Sequence, residues 1–241
     1  MTELFSLFDQ VRIINLVDRP DRRSEMIDQF RRIGGMGPNI AFHDAHRPSD
    51  AGEFPSVGAR GCFASHLAVL RGARDAGAKS LLLLEDDFDF AREGFARANM
   101  IADELMNREW HFFYGAHVLP TANRRGLVRL APDEAVITAS FVGFNGTVIA
   151  DLVDFLEAIL TRPAGSPDYG PMHVDGAYTV FRELHPRFVS FAAFPTLGRQ
   201  RSSPSDITPG DWLLDRHPAT RGLARSLRST YNWLARRARA T

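Results

Sequence analysis

The run Glu85-Asp86-Asp87, with Asp89 two residues further on, packs four carboxylates into five positions. Hard oxygen ligands at this density suit Mg²⁺ or Mn²⁺ and suit zinc poorly. A diphosphate would complete the coordination of such an ion, whose chemical work would be Lewis-acid stabilisation of a departing nucleotide. Three acids in a row also describe a solvated turn, so the element that delivers them decides between the two. Leu81-Leu82-Leu83-Leu84 shows no polar alternation, is short, and follows a helix end marked by Gly77. It reads as a central strand buried on both faces. Carboxylates leaving the carboxyl end of such a strand stand where open α/β sheets bind their ligands.

The elements around this strand alternate in type. Val11–Leu16 is a β-rich run that meets the turn residues Asp18-Arg19-Pro20-Asp21. Met26, Ile27, Phe30 and Ile33 then follow helical spacing up to Gly34-Gly35, with Asp21 as the expected N-cap. A second strand is expected around 39–42. A polar loop through Gly61 precedes a helix carrying Leu67, Leu70 and Ala73. The order is β-α-β-α-β. Beyond it the pattern predicts a helix over 95–107, a strand over 110–114, and a hairpin of 127–130 with 134–139 turning at Pro132-Asp133. Thr147–Ile149 leads into a helix through Leu152, Phe155, Leu156 and Ile159. The loop 162–171, with three prolines, is placed to lie over a substrate site. An α/β fold with a mixed, mostly parallel central sheet is the expectation.

With 241 residues, 44% hydrophobic and 24% charged, the chain is expected to form one domain over 1–207 and a basic appendage over 208–241. The longest apolar runs fall far short of the roughly 20 residues that span a bilayer. The start lacks the basic flank and apolar run of a signal peptide, which points to the cytoplasm. Cys62 is the single cysteine, so an internal disulfide and a multi-cysteine zinc site are excluded. The formal net charge of +0 hides an asymmetry, because residues 216–241 hold seven arginines and no acid, leaving the rest at about −7.

Taken in order, Ile14-Asn15-Leu16, Arg19-Pro20-Asp21-Arg22, Gly61-Cys62-Phe63-Ala64-Ser65-His66 and Leu83-Leu84-Glu85-Asp86-Asp87 resemble the motif series of glycosyltransferase family 25. His173-Val174-Asp175 and Gln200 with Ser205-Asp206-Ile207 are similar to that family's later motifs, so the resemblance spans about residues 11–207. The family includes bacterial lipopolysaccharide and lipooligosaccharide transferases and relatives that galactosylate collagen. The resemblance implies a GT-A type fold, a divalent metal (Mn²⁺ or Mg²⁺), a UDP-hexose donor, commonly UDP-galactose, and inversion at the anomeric carbon. Its acidic triplet maps onto Glu85, Asp86 and Asp87, with Asp87 as direct metal ligand and Glu85 in ribose or second-sphere contact.

Asn15, Arg19 and Arg22 follow the first strand, where a nucleotide would lie, and an arginine fork matches phosphate; the same arginines also suit a solvated helix start. Ser65 with His66, and Cys62, are set aside as nucleophiles, because neighbours at a helix start point apart. Ser65 counts among the donor contacts; His66 either touches the nucleotide sugar, caps the helix, or is a satisfied structural histidine. Direct inversion needs a base for the acceptor hydroxyl. Asp175 is the candidate, at the start of an expected helix over 176–183, where it would otherwise serve as an N-cap. His173 would complete the metal sphere. The weight given to Gln200, Ser205 and Asp206 rests on the resemblance.

In the tail, Leu223, Leu227, Tyr231 and Leu234 form an apolar stripe between arginines. Over 212–239 this suits a helix on an anionic membrane surface, where a lipid-linked saccharide acceptor would also lie, and equally a helix packed on its own domain. No nucleic-acid motif is present. Two rivals to the transferase remain: another sugar-nucleotide enzyme such as a nucleotidyltransferase, and a non-catalytic protein that binds nucleotide sugars or glycans.

Overall fold

A computed structural model of the chain describes residues 2–120 and 123–201. Ser205, Asp206 and the basic appendage lie outside these residues. The elements run α1 (Thr2–Ser6), β1 (Gln10–Asn15), α2 (Pro20–Arg32), β2 (Ile40–Asp44), α3 (Val57–Asp75), β3 (Ser80–Glu85), β4 (Phe88–Phe90), α4 (Arg92–Met106), β5 (Phe112–Tyr114), β6 (Gly126–Arg129), β7 (Phe141–Asn145), α5 (Val148–Leu160), α6 (Val174–Leu184), β8 (Ser190–Phe194) and β9 (Gly198–Gln200).

Seven strands form one sheet in the order β2-β1-β3-β7-β5-β8-β6, and β4 pairs with β9 in a separate ribbon. β1, β2, β3, β5 and β8 run one way, while β7 and β6 run against them. The expected mixed, mostly parallel sheet is therefore the one the chain forms. β3 is an interior strand, third in that order and flanked by β1 and β7, and Leu81 to Leu84 are all fully buried. Side chains alternate across a strand, so Leu81 and Leu83 enter the core under α3, α5 and α6, while Leu82 and Leu84 enter the core shared with α1, α2 and α4. Two apolar faces covered by helices explain why the leucine run shows no polar alternation.

The structure differs from the sequence expectations in five places. α3 begins at Val57, not after Gly61, because Ser56 caps it by accepting from the Ala59 amide at 3.0 Å. Gly61 is thus helical, and it is glycine because a Cβ there would stand 2.8 Å from the His46 carbonyl oxygen. Asp21 is not the cap of α2: Arg19 holds that position, Pro20 follows it, and the Asp21 carboxylate is chelated by the Arg19 guanidinium at 2.7 and 2.9 Å. The hairpin of 127–130 with 134–139 does not form. β6 pairs instead with β8, and 134–139 is irregular chain tied to α6. β7, absent from the sequence expectation, inserts antiparallel between β3 and β5. Lastly, α6 starts at Val174, so Asp175 lies inside its first turn and His173 takes the cap position. Among the described residues no helix is long and apolar enough to cross a membrane.

Candidate functional site

β3 ends at Glu85, and the next two residues turn their carboxylates in different directions. Asp86 points into the protein. Its Oδ2 accepts from Asn15 Nδ2 at 2.7 Å and its Oδ1 from Arg22 Nη1 at 3.1 Å. Asn15 also donates to the Arg19 carbonyl at 3.2 Å, so one amide ties the end of β1, the turn into α2 and the acidic run together. Asn15, Arg22 and Asp86, grouped by sequence as donor contacts, are thus brought together, with the Asp86 carboxylate held between the other two.

Asp87 and Glu85 face the opposite way, toward β9. Gln200 Nε2 donates to Asp87 Oδ2 at 3.1 Å and to Glu85 Oε2 at 3.3 Å. The ribbon that brings Gln200 here requires Gly198, whose missing Cβ would sit 2.2 Å from the Asp89 carbonyl oxygen. Arg201 fastens the same turn, its amide donating to the Asp87 carbonyl at 2.7 Å and its guanidinium to the Asp86 carbonyl at 2.7 Å and to Glu25.

The other oxygen of Asp87 is the odd atom of the site: Oδ1 is out of solvent and has no hydrogen-bond donor among the described residues. Burial, and then the Glu85 charge, push the Asp87 carboxyl up to about 7, against the opposing pull of Gln200 and Arg22. Burial also pushes Glu85 upward, but donation from His66 and Cys62 and the Arg22 charge outweigh it and hold the group below the usual carboxylate range. An ionised carboxylate beside a second one with an unfilled, buried oxygen is a donor set that a hard divalent cation fits. The residues expected to hold Mn²⁺ or Mg²⁺ pass that test at Asp87.

Behind Glu85 lies a buried polar chain. His66 is fully buried, with Nε2 at 3.3 Å from Glu85 Oε1 and Nδ1 at 2.9 Å from the Tyr178 hydroxyl. Its place in the middle of α3 rules out a capping role. Cys62, one turn earlier, donates to the same Glu85 oxygen at 3.4 Å, and burial followed by the Glu85 charge pushes its thiol well above the ordinary range. Ser65 is engaged locally, donating to the Gly61 carbonyl at 2.7 Å and accepting from the His46 amide at 2.8 Å. Arg19 stands at the helix start with its fork on Asp21.

Asp175 accepts from the Gly176 amide at 2.8 Å and from the Thr138 amide at 3.2 Å. It is close enough to the buried chain for its charge to help raise Cys62 and Tyr178. Thr138 reaches it from a left-handed backbone, φ 78°, which a β-branched residue adopts only when its surroundings impose it. Arg182 anchors the chain just before it: fully buried, it donates to the carbonyls of Ala131 and Glu134 and to Ser190, tying 131–134 to α6 and β8. His173 is exposed, and its side chain makes no hydrogen bond among the described residues.

The sequence reading missed Tyr178, Arg182, Thr138 and Arg201. Tyr178 was findable from its i, i+3 spacing to Asp175 on one helix face. Arg182 and Thr138 carry no sequence signal, since their roles depend on where an irregular segment lands.

No protein-family model matches the chain, and no curated protein does. Among solved structures it is similar to a glycosyltransferase involved in the glycosylation of the major capsid of PBCV-1, at 11% identity over 80% of this chain and 94% of that one, with a TM-score of 0.46. It is also similar to a mannose-1-phosphate geranyltransferase from Thermus thermophilus, at 13% identity and a TM-score of 0.36, covering 79% of this chain and 59% of that chain.

Proposed function

We propose that the chain is a metal-dependent, inverting glycosyltransferase of GT-A type. In this reading it moves a hexose, galactose by the family 25 resemblance, from a UDP-sugar to a saccharide acceptor of a surface glycan such as lipopolysaccharide. The observation that carries the proposal is Asp87 Oδ1, a buried, undonated carboxylate oxygen at the carboxyl end of the central strand. Leaving such an atom without a partner is costly, and an ion that arrives with the substrate removes the cost.

Asp87 would hold the ion directly, with Glu85 and Gln200 setting its orientation from one side. When bound, a divalent ion supplies charge stabilisation to the leaving nucleotide diphosphate. Asp175 is the proposed base. Two amides fix its carboxylate, one of them aimed by the strained Thr138, so the proton acceptor is oriented before the acceptor hydroxyl arrives. Arg19 is the proposed phosphate contact, standing beside the acidic run at the start of α2. His173 is kept as a further metal ligand; its exposure leaves it open to substrate. Ser205 and Asp206 are proposed donor contacts from the segment after β9, and the basic stretch 212–239 a contact to anionic membrane at the cytoplasmic face.

The test is calorimetric titration with UDP, with and without Mn²⁺, alongside other nucleotides. Manganese-dependent binding selective for UDP is the expected result; a folded protein that binds no nucleotide would overturn the reading. Release of UDP, rather than capture of a nucleoside monophosphate, separates the transferase from a nucleotidyltransferase.

A further inference from the structure

Cys62 and His66 stand one helical turn apart on α3 and meet the same oxygen of β3. Cys62 Sγ is 3.4 Å and His66 Nε2 3.3 Å from Glu85 Oε1, and the three ligand atoms lie within 4.8 Å of one another. We infer that Cys62 Sγ, His66 Nε2 and Glu85 Oε1 form a second metal site, for a thiophilic divalent ion such as Zn²⁺, separate from the hard-oxygen face of Asp87.

Donor spacing is the first argument. Zinc bonds of roughly 2.3 Å to sulfur and roughly 2.0 Å to nitrogen and oxygen, at tetrahedral angles, give edges of about 3.5 Å for S···O and about 3.3 Å for N···O. The site already has those separations to within about 0.1 Å. An ion would enter where two hydrogens now converge on one oxygen, the Cys62 and His66 donor atoms standing within 4.8 Å of each other.

Ligand chemistry is the second. One thiolate, one imidazole and one carboxylate select a borderline ion over Mg²⁺ or Mn²⁺, and a thiolate with a carboxylate neutralises the dication. Binding releases the Cys62 thiol proton to solvent. The His66 proton transfers from Nε2 to Nδ1, where it donates to the Tyr178 hydroxyl, which changes from donor to acceptor. Tyr178 thus fills the place of the outer partner that orients a ligating histidine. Cys62 and Glu85 are partly exposed, unlike the fully buried His66.

Glu85 joins the two sites without merging them. Its Oε1 faces Cys62 and His66, while its Oε2 faces Gln200 beside Asp87. An ion in the second site would fix the Glu85 carboxylate as a bridge between the sites.

The experiment is a titration of the reduced, metal-stripped full chain with Co²⁺, followed by absorbance. A near-ultraviolet thiolate-to-cobalt band, with visible bands of tetrahedral strength, should saturate at one equivalent. Cys62 is the only cysteine of the chain, so a sulfur band has one source within it. Zn²⁺ should abolish the band, and equal Mg²⁺ or Mn²⁺ should leave it. Cys62→Ser should remove it, and Glu85→Gln should raise the half-saturation concentration by at least about tenfold, the loss typical even for an outer partner. A folded wild-type protein without a sulfur band overturns the inference. So does saturation at half an equivalent, which would mean two chains sharing one ion, or unchanged affinity in Glu85→Gln. The UDP titration reads the Asp87 face, so the two proposals fail separately.

Discussion

Gln200 Nε2 lies 3.1 Å from Asp87 Oδ2, although the two residues are 113 positions apart. One amide, delivered by a three-residue strand, thus holds one oxygen of the proposed metal ligand and leaves the other bare. The site's properties follow from that half-filled carboxylate.

Asp87→Asn should abolish manganese-dependent UDP binding while making the metal-free protein more stable above pH 7. The folded carboxyl titrates near about 7, whereas an unfolded aspartate titrates near about 3.9. The folded state therefore binds the extra proton, and its stability is lost as pH rises from about 4 through about 7. Asparagine has no such loss. Thermal melts at pH 8 should show a gain on the order of 1–3 kcal/mol; a destabilised variant would mean that the carboxylate is satisfied in the metal-free protein.

Manganese affinity should rise with pH up to about 7 and then level off, because the ion must displace the Asp87 proton. The expected slope below the plateau is about tenfold per pH unit. Calorimetry in buffers of different ionisation enthalpy would count the proton released; no release at pH 6 would remove Asp87 from the metal sphere.

Gln200→Glu should place a third carboxylate against two others. Melts at pH 8 without metal should show a loss of roughly 1 kcal/mol, limited because Gln200 is exposed and water screens the charges. Added Mn²⁺ should raise the melting temperature of this variant more than that of the parent. Equal shifts would place the ion away from Gln200.

Asp175→Asn keeps an oxygen for the Gly176 or Thr138 amide, and no cap is lost because the cap position belongs to His173. Folding and UDP binding should persist, while hexose transfer slows by roughly 100-fold or more. Transfer at the parental rate would move the base elsewhere.

Arg182→Met should remove three charge-assisted hydrogen bonds, the one to Ser190 buried and the two to the Ala131 and Glu134 carbonyls partly so, at a cost of about 3 kcal/mol. Because Arg182 ties down the segment that leads to Thr138, whose amide holds Asp175, transfer by the folded fraction should fall more than UDP binding does. Equal effects on the two would confine Arg182 to stability.

The sequence by itself determined the central strand, the carboxylates at its end and the alternation that builds a mostly parallel sheet. These are local matters: four consecutive leucines can be buried only between two covered faces, and charges must leave the sheet where it ends. Tertiary structure decided what each carboxylate does. Asp86 is held inward by Asn15 and Arg22, Asp87 is left half-filled by Gln200, and Glu85 is shared between Gln200 and the pair on α3. No spacing within Glu85-Asp86-Asp87 separates these roles, since each is set by residues 19 to 115 positions away. The start of α3 illustrates the same limit. Gly61 looks like a loop residue until the His46 carbonyl is seen to occupy the space of a Cβ. Only with that helix in place do Cys62 and His66 fall on one face, one turn apart and aimed at Glu85.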